Sequence, residues 1–246
     1  MQTIIPNWPA PDNVLTVSTT RFGGVSSAPY DALNLGLHVG DDVSSVLTNR
    51  QLLKHHCWLT TEPAWLNQIH SPIVIDLTAP LTEVVDADGS FTRVPGLACA
   101  IMTADCLPVL LCNKQGTEVA AVHAGWRGLA AGVIDNAIAK FTCPAADIMA
   151  WMGPAIGPTA FEVGTEVREQ FIDVNAKAAD AFVAHGDKWL ANLYLLARQR
   201  LQQHGIDAIY GGEYCTFNND QLFYSYRRQT VTGRQASNVP NSARCL

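Results

Sequence analysis

The chain has 246 residues, of which 48% are hydrophobic and 15% charged, and its net charge is −6. That composition supplies a sizeable core and excludes a disordered chain. The acidic balance argues against a protein that neutralises phosphate backbones over a basic face, so no nucleic-acid partner is expected. No apolar run approaches the ~20 residues needed to cross a bilayer, so no membrane partner is expected. The start, Met1-Gln2-Thr3-Ile4-Ile5-Pro6, lacks the charged end and apolar centre of a signal peptide. The seven cysteines (Cys57, Cys99, Cys106, Cys112, Cys143, Cys215 and Cys245) are odd in number and contain no Cys-x-x-Cys. A reducing, cytoplasmic setting without a disulfide framework is the expectation. No Pro/Ser/Gly linker and no internal repeat divides residues 1–246, so they read as a single domain.

Val14 to Thr19 alternates and predicts a strand. Arg21-Phe22-Gly23-Gly24-Val25-Ser26 and Asn34-Leu35-Gly36-Leu37-His38-Val39-Gly40-Asp41-Asp42 are glycine-punctuated loops. A helix follows over Val43–His56, with Asp42 as its cap. Short strands are predicted over Ile73–Leu77, Leu97–Met102, Val109–Cys112 and Val119–Val122. Leu129, Val133, Ile134, Ala137, Ile138 and Phe141 predict one amphipathic helix. Ile148–Met152 is a further strand, ended by Gly153-Pro154. Helices are then expected over about Glu166–Asn175 and Lys188–His204, the second stopped by Gly205. The segment Phe223 to Arg228 alternates aromatic and polar residues. Strands and helices alternate without a βαβ rhythm, which predicts an α+β fold with mixed sheets in layers, not a doubly wound parallel one. Trp8 and Trp151 do not choose between a partner and the core.

Three residues dominate the chemistry. His70, Cys106 and His123 each lie at the edge of an apolar run, beside turn or small residues. Two imidazoles and a thiolate form a three-ligand set that zinc accepts, with a fourth position open. The same residues also read as a Cys-His hydrolase, with Cys106 as nucleophile and His123 as base. Asp105 stands beside Cys106, where it would orient a ligand or turn the chain. Arg21, Arg50, Arg127 and the Arg227-Arg228 pair are candidate anion binders, each weighed against an ordinary surface arginine. Signatures for phosphate loops, dinucleotide folds, serine-hydrolase elbows, HExxH zincins and zinc deaminases are absent.

The segments Arg21–Ser26, Leu33–Gly36, His38–Asp41, Asn49-Arg50, Gln68–His70, Asp86–Gly89, Thr103–Leu110, His123–Gly128, Gly153–Gly157, Phe223–Arg228 and Thr232–Arg234 together resemble the YfiH family. That family is also described as laccase-domain or multicopper polyphenol oxidase proteins, purine nucleoside phosphorylases and a peptidoglycan editing factor. The His-Ala-Gly-Trp-Arg-Gly and Ala-Asp-Cys-x-Pro motifs carry the resemblance, which spans nearly the whole chain. It implies a single YfiH-like domain: a layered sandwich of mixed β-sheets flanked by helices, like the cytotoxic necrotizing factor cysteine-hydrolase fold. It also implies a metal site at His70, Cys106 and His123, with zinc as the usual ion and copper as an alternative.

The first function the resemblance implies is zinc-dependent phosphorolysis of adenosine, inosine and methylthioadenosine, with adenosine deamination. On that reading Cys106, His123 and Asp105 are catalytic, Asp105 as proton carrier, and Arg50, Arg127 or Arg228 bind substrate. The runner-up is a Cys106–His123 amidase that removes L-serine from a UDP-MurNAc peptidoglycan precursor. A copper polyphenol oxidase ranks lower, because the chain has seven His and no His-x-His pair. A non-enzymatic closed metal site would require a fourth ligand, for which Cys112 is the candidate. A small-molecule substrate and a monomer are expected.

Overall fold

The computed structural model describes residues 1–241; Cys245 lies outside them. The strands are β1 (Thr3–Ile4), β2 (Val17–Thr19), β3 (Val74–Asp76), β4 (Gly89–Thr92), β5 (Ala98–Thr103), β6 (Leu107–Asn113) and β7 (Val119–Ala124). They continue with β8 (Ile148–Met152), β9 (Glu162–Val163), β10 (Phe182–His185), β11 (Lys188–Ala191), β12 (Ala208–Gly211) and β13 (Gln235–Pro240). The helices are α1 (Val43–His56), α2 (Trp126–Ala130), α3 (Val133–Ile138), α4 (Thr165–Ile172) and α5 (Leu193–Gln203).

A six-stranded sheet in the order β12-β8-β6-β7-β4-β3 forms the middle of the molecule. Its β12–β8 and β3–β4 pairs are parallel and the others antiparallel, the mixed sheet expected. One face carries Val109, Leu111, Val122, Ala150 and Met152, packed against Leu129, Ile134, Val167, Leu196 and Leu201 of the helices. The alternate residues Leu110, Cys112, Ala121, Met149 and Trp151 point the other way. They meet Cys99, Ile101 and Val239 of a four-stranded sheet, ordered β1-β2-β13-β5. That second sheet is covered outside by Leu53 of α1 with Leu35 and Trp65. The layers are thus helix, sheet, sheet, helix. With both faces covered, the central strands read as unbroken apolar runs rather than alternating ones. Trp151 is core, and the partly buried Trp8 donates its indole N–H to Thr16 Oγ1 at 3.1 Å.

Several boundaries differ from expectation. The helix expected over Lys188–His204 begins only at Leu193, because Asn192 caps it by accepting from Leu195 N. Residues Lys188–Ala191 instead pair with β9 and β10 in a three-stranded sheet. The helix expected from Leu129 to Phe141 is two short ones, broken at Gly132, whose φ of 92° no helix accommodates. Asp42 caps α1 as anticipated, accepting from Ser45 N at 2.8 Å. Phe223 to Arg228 forms turns, with Phe223 and Tyr224 buried.

Candidate metal and active site

Cys106 occupies the tight link between β5 of the four-stranded sheet and β6 of the six-stranded sheet, strands belonging to different layers. Asp105 makes that link with a left-handed φ of 96°. His123 lies near the end of β7, with its Cα opposite Pro108 of β6. The register therefore brings His123 beside the Cys106 turn. His70 comes from a loop that Gln68 clamps to β5: its amide donates to Met102 O (2.7 Å) and accepts from Met102 N (2.8 Å). His70 also has a left-handed φ, 62°.

Asp88 organises the cluster. Its Oδ1 accepts from His70 N (2.9 Å) and lies 2.8 Å from His123 Nδ1. Its Oδ2 accepts from Ile69 N (3.2 Å), Ser71 N (2.6 Å) and Ser71 Oγ (2.8 Å). One fully buried carboxylate thus shapes the His70 loop and directs His123. With Nδ1–H committed to Asp88, His123 Nε2 is left for Cys106 or a metal.

Cys106 Sγ is 3.8 Å from His70 Nε2, and the donor atoms of His70, Cys106 and His123 all lie within 4.8 Å of one another. Tetrahedral zinc, with bonds of ~2.0–2.3 Å, places such atoms about 3.3–3.6 Å apart, so the donor set fits with small side-chain movements. A second observation agrees. A Cβ on Gly125 would stand 3.0 Å from Cys106 Sγ, 3.0 Å from His70 Cδ2 and 3.5 Å from His123 Cε1. The backbone here must be bare for the three side chains to converge. Cys112, the candidate fourth ligand, faces the sheet–sheet core and stands outside the cluster. The cluster therefore offers three donor residues that could hold a metal, among the described residues, and the closed four-ligand reading loses its support.

Without metal the thiol and imidazole form a charge pair. Burial works against both charges, yet the His123 and His70 imidazoles hold the Cys106 thiol down at about 6. The Cys106 and Asp88 anions likewise outweigh burial and lift His123 to about 9.

The cluster opens into a cavity of about 500 Å³, within the range of small-molecule sites. Trp126, Phe161 and Tyr226 provide aromatic lining, and Arg127, Arg227 and Arg234 bring positive charge. Of the arginines anticipated, Arg127 and Arg227 reach the cavity, Arg127 stacked with its guanidinium carbon 4.3 Å from the Trp126 ring. Arg50 is buried elsewhere, donating to Leu35 O at 3.0 Å and lying over Trp65. Arg228 is spent on the carbonyls of Thr216, Phe217 and Phe223. Arg21 is tied to Asp31 and Asp220. These are structural arginines, a correction to their expected binding roles; chain carbonyls capture guanidinium groups wherever loops end unpaired.

Asp105 lines the cavity, but both oxygens are engaged. Oδ1 accepts from Thr216 Oγ1 (2.6 Å) and Oδ2 from Arg227 N (2.7 Å). That placement suits a residue that positions the Cys106 turn against the Arg227 loop, not a free proton carrier. Sequence reasoning passed over Asp88, His38 and Arg234. Asp88 lies in Asp86–Gly89 and Arg234 in Thr232–Arg234, segments already noted as family-like. Neither has a periodic signal, because turns and long-range contacts give these residues their roles.

A family model described as multi-copper polyphenol oxidoreductase laccase matches residues 15–240. A purine nucleoside phosphorylase YfiH of Shigella flexneri is 54% identical over 234 residues, covering 95% of this chain and 96% of that protein. A purine nucleoside phosphorylase of Pseudomonas aeruginosa is 50% identical over 238 residues, covering 96% and 97%. A crystal structure of a Neisseria meningitidis protein superposes with a TM-score of 0.95 at 47% identity, covering 99% of this chain and all of that one. The Bacillus licheniformis hypothetical protein YfiH gives 0.86 at 30% identity over 93% of each chain. With matches of this extent, the chain belongs to the YfiH family.

Proposed function

We propose that this protein is a zinc-dependent purine nucleoside phosphorylase acting on adenosine, inosine and methylthioadenosine, with adenosine deamination as a second activity. The observation that carries this reading is the cavity itself, which joins the His-Cys-His cluster to arginines and aromatic faces. The printed names of the Shigella and Pseudomonas relatives support it.

Trp126, Phe161 and Tyr226 offer flat surfaces for a purine ring. Arginines on the same wall compensate a phosphate and hold it for attack at C1′. Asp88 keeps His123 in one tautomer and orientation while substrate exchanges. A zinc ion held by His70, Cys106 and His123 would supply Lewis-acid polarisation. The soft thiolate also admits copper. A multicopper electron relay needs further ligand sets, whereas one such cluster stands among the described residues.

A second reading has its own observation. Asp88, His123 and Cys106 form a connected series, and the thiol is poised as thiolate near neutral pH. That is the constellation of a cysteine amidase, for which the serine-containing UDP-MurNAc precursor is the proposed substrate. The two readings part on metal removal, because a coordinated thiolate is a poor nucleophile.

The test is product analysis by liquid chromatography with adenosine, inosine and phosphate, comparing zinc-loaded protein, chelated protein and Cys106→Ala. Free base that requires phosphate, zinc and Cys106 is the expected result. Product indifferent to Cys106 would overturn the proposal. Amide cleavage that rises on chelation would establish the second reading instead.

A further inference from the structure

Arg234 combines three features shared by no other cavity arginine. Its backbone is pinned on both sides: Arg234 N donates to Asn34 Oδ1 (2.9 Å), and Leu35 N donates to Arg234 O (3.1 Å). Its guanidinium is held from behind, Nη1 donating to Thr232 O (3.1 Å) and Gly233 O (3.0 Å). Nε and Nη2 make no hydrogen bond, and no carboxylate pairs with the group, among the described residues. Burial presses on this cation, opposed only at longer range by Cys106, Asp105 and Tyr226. Arg127 and Arg227, in contrast, are exposed to solvent that screens them.

His38 is its neighbour. The Leu37–Val39 turn, closed by Gly40 at φ 93°, delivers His38 to the same cavity. A Cβ on Gly36 would meet Arg234 Cγ at 2.9 Å and His38 Cε1 at 3.4 Å, so both side chains converge on that bare glycine. Neither ring nitrogen of His38 has a partner among the described residues. The side chain is solvent-accessible, and its partial burial, then Arg234, Arg50 and His123, push its pKa down. A partly buried cation whose Nε and Nη2 are free of protein partners, next to an imidazole also without one among the described residues, suits a tetrahedral oxyanion.

We propose that Arg234 and His38 form the phosphate-binding subsite of this cavity. Arg234 Nε and Nη2 offer a two-pronged grip on two phosphate oxygens, and a His38 ring nitrogen binds a third. The inference deepens the phosphorylase reading by assigning its co-substrate to residues outside the metal cluster.

Inorganic phosphate is the probe, added to the metal-loaded protein. Proton NMR of the His38 ring and calorimetry are run on wild type, Arg234→Gln, Arg234→Lys and His38→Gln. Circular dichroism shows that each is folded. The His38 pKa is expected to rise on phosphate addition in wild type and to stay put in Arg234→Gln. Phosphate affinity should fall at least about tenfold in Arg234→Gln, with partial retention in Arg234→Lys. In turnover assays the phosphate KM should rise while nucleoside affinity holds. An unmoved His38 signal, or unchanged phosphate affinity in folded Arg234→Gln, overturns the subsite. Phosphate binding that depends on Arg234 without any nucleoside cleavage would uphold the subsite and overturn the phosphorylase reading alone.

Discussion

Replacing Asp88 by Asn preserves size and removes the charge around which the cluster is built. In the wild type Oδ1 serves His70 N and His123 Nδ1, and Oδ2 serves Ile69 N, Ser71 N and Ser71 Oγ. Asparagine keeps one accepting oxygen. Its amide nitrogen must face either the first pair of donors or the second trio, and the set it faces then meets a donor in place of an acceptor. Hydrogen bonds to a charged group contribute ~1.5–3 kcal/mol each but do not add fully, so the expected loss is about 3–5 kcal/mol. A domain with ~5–15 kcal/mol of stability survives that loss. Urea unfolding followed by tryptophan fluorescence measures it. Competition against a chromogenic chelator should show zinc affinity reduced ~10–100-fold, as for lost outer partners of metal-binding histidines. The pH dependence has a definite sign. Burial alone would raise the Asp88 carboxyl, but the donors from His123 and Ser71 outweigh it and hold the pKa below its ordinary value. Its stabilisation is therefore complete above the unfolded carboxylate value of ~3.9 and is lost as pH falls through the lower folded value. The gap between wild type and variant should close only in acid. A loss under about 1 kcal/mol together with unchanged zinc affinity would refute the role of Asp88.

Gly125→Ala should weaken zinc binding while leaving the metal-free protein folded. The backbone there, φ −59° and ψ 154°, accepts alanine, and only the crowded Cys106 and His70 atoms resist it. Equal zinc affinity in the two proteins would mean that the ligands do not converge on this glycine. In metal-free protein, the ultraviolet absorbance of the Cys106 thiolate should rise as pH passes upward through about 6, and zinc should protect Cys106 from alkylation. A titration at the ordinary thiol value, in the alkaline range, would contradict the ion pair with His123. Arg50→Met should lower stability by about 1–3 kcal/mol through the unpaired Leu35 carbonyl while leaving KM intact. Arg127→Ala should do the reverse, raising KM with little change in melting temperature, because its side chain is exposed at the cavity.

The three metal-binding candidates were legible because their local chemistry is written in short motifs. Cys106 follows a turn-forming Asp and precedes a strand, and His123 ends an apolar run. The central strands were equally legible: a sheet covered on both faces needs apolar residues at nearly every position, and β8 spans Ile148–Met152, the range its apolar run predicts. The helix expected over 188–204 failed at its start because Trp189 and Leu190 serve a strand register as well as a helical face. Pairing with Val163 and Glu162, far off in sequence, settled the choice.

The arginines show where sequence reading ends. Arg50, Arg127, Arg228 and Arg234 all sit in or beside recognisable motifs, and guanidinium chemistry is the same in each. Arg50 and Arg228 are consumed by carbonyls, whereas Arg234, which lines the cavity, keeps Nε and Nη2 free of partners among the described residues. By itself the sequence determined the apolar central strands, the candidate His-Cys-His trio and the family, because these depend on local pattern and motif. Only the tertiary structure decided which charges face the cavity and that Asp88 holds the cluster together. Those outcomes turn on which donors and acceptors from distant loops meet after folding, and sequence separation carries no record of that pairing.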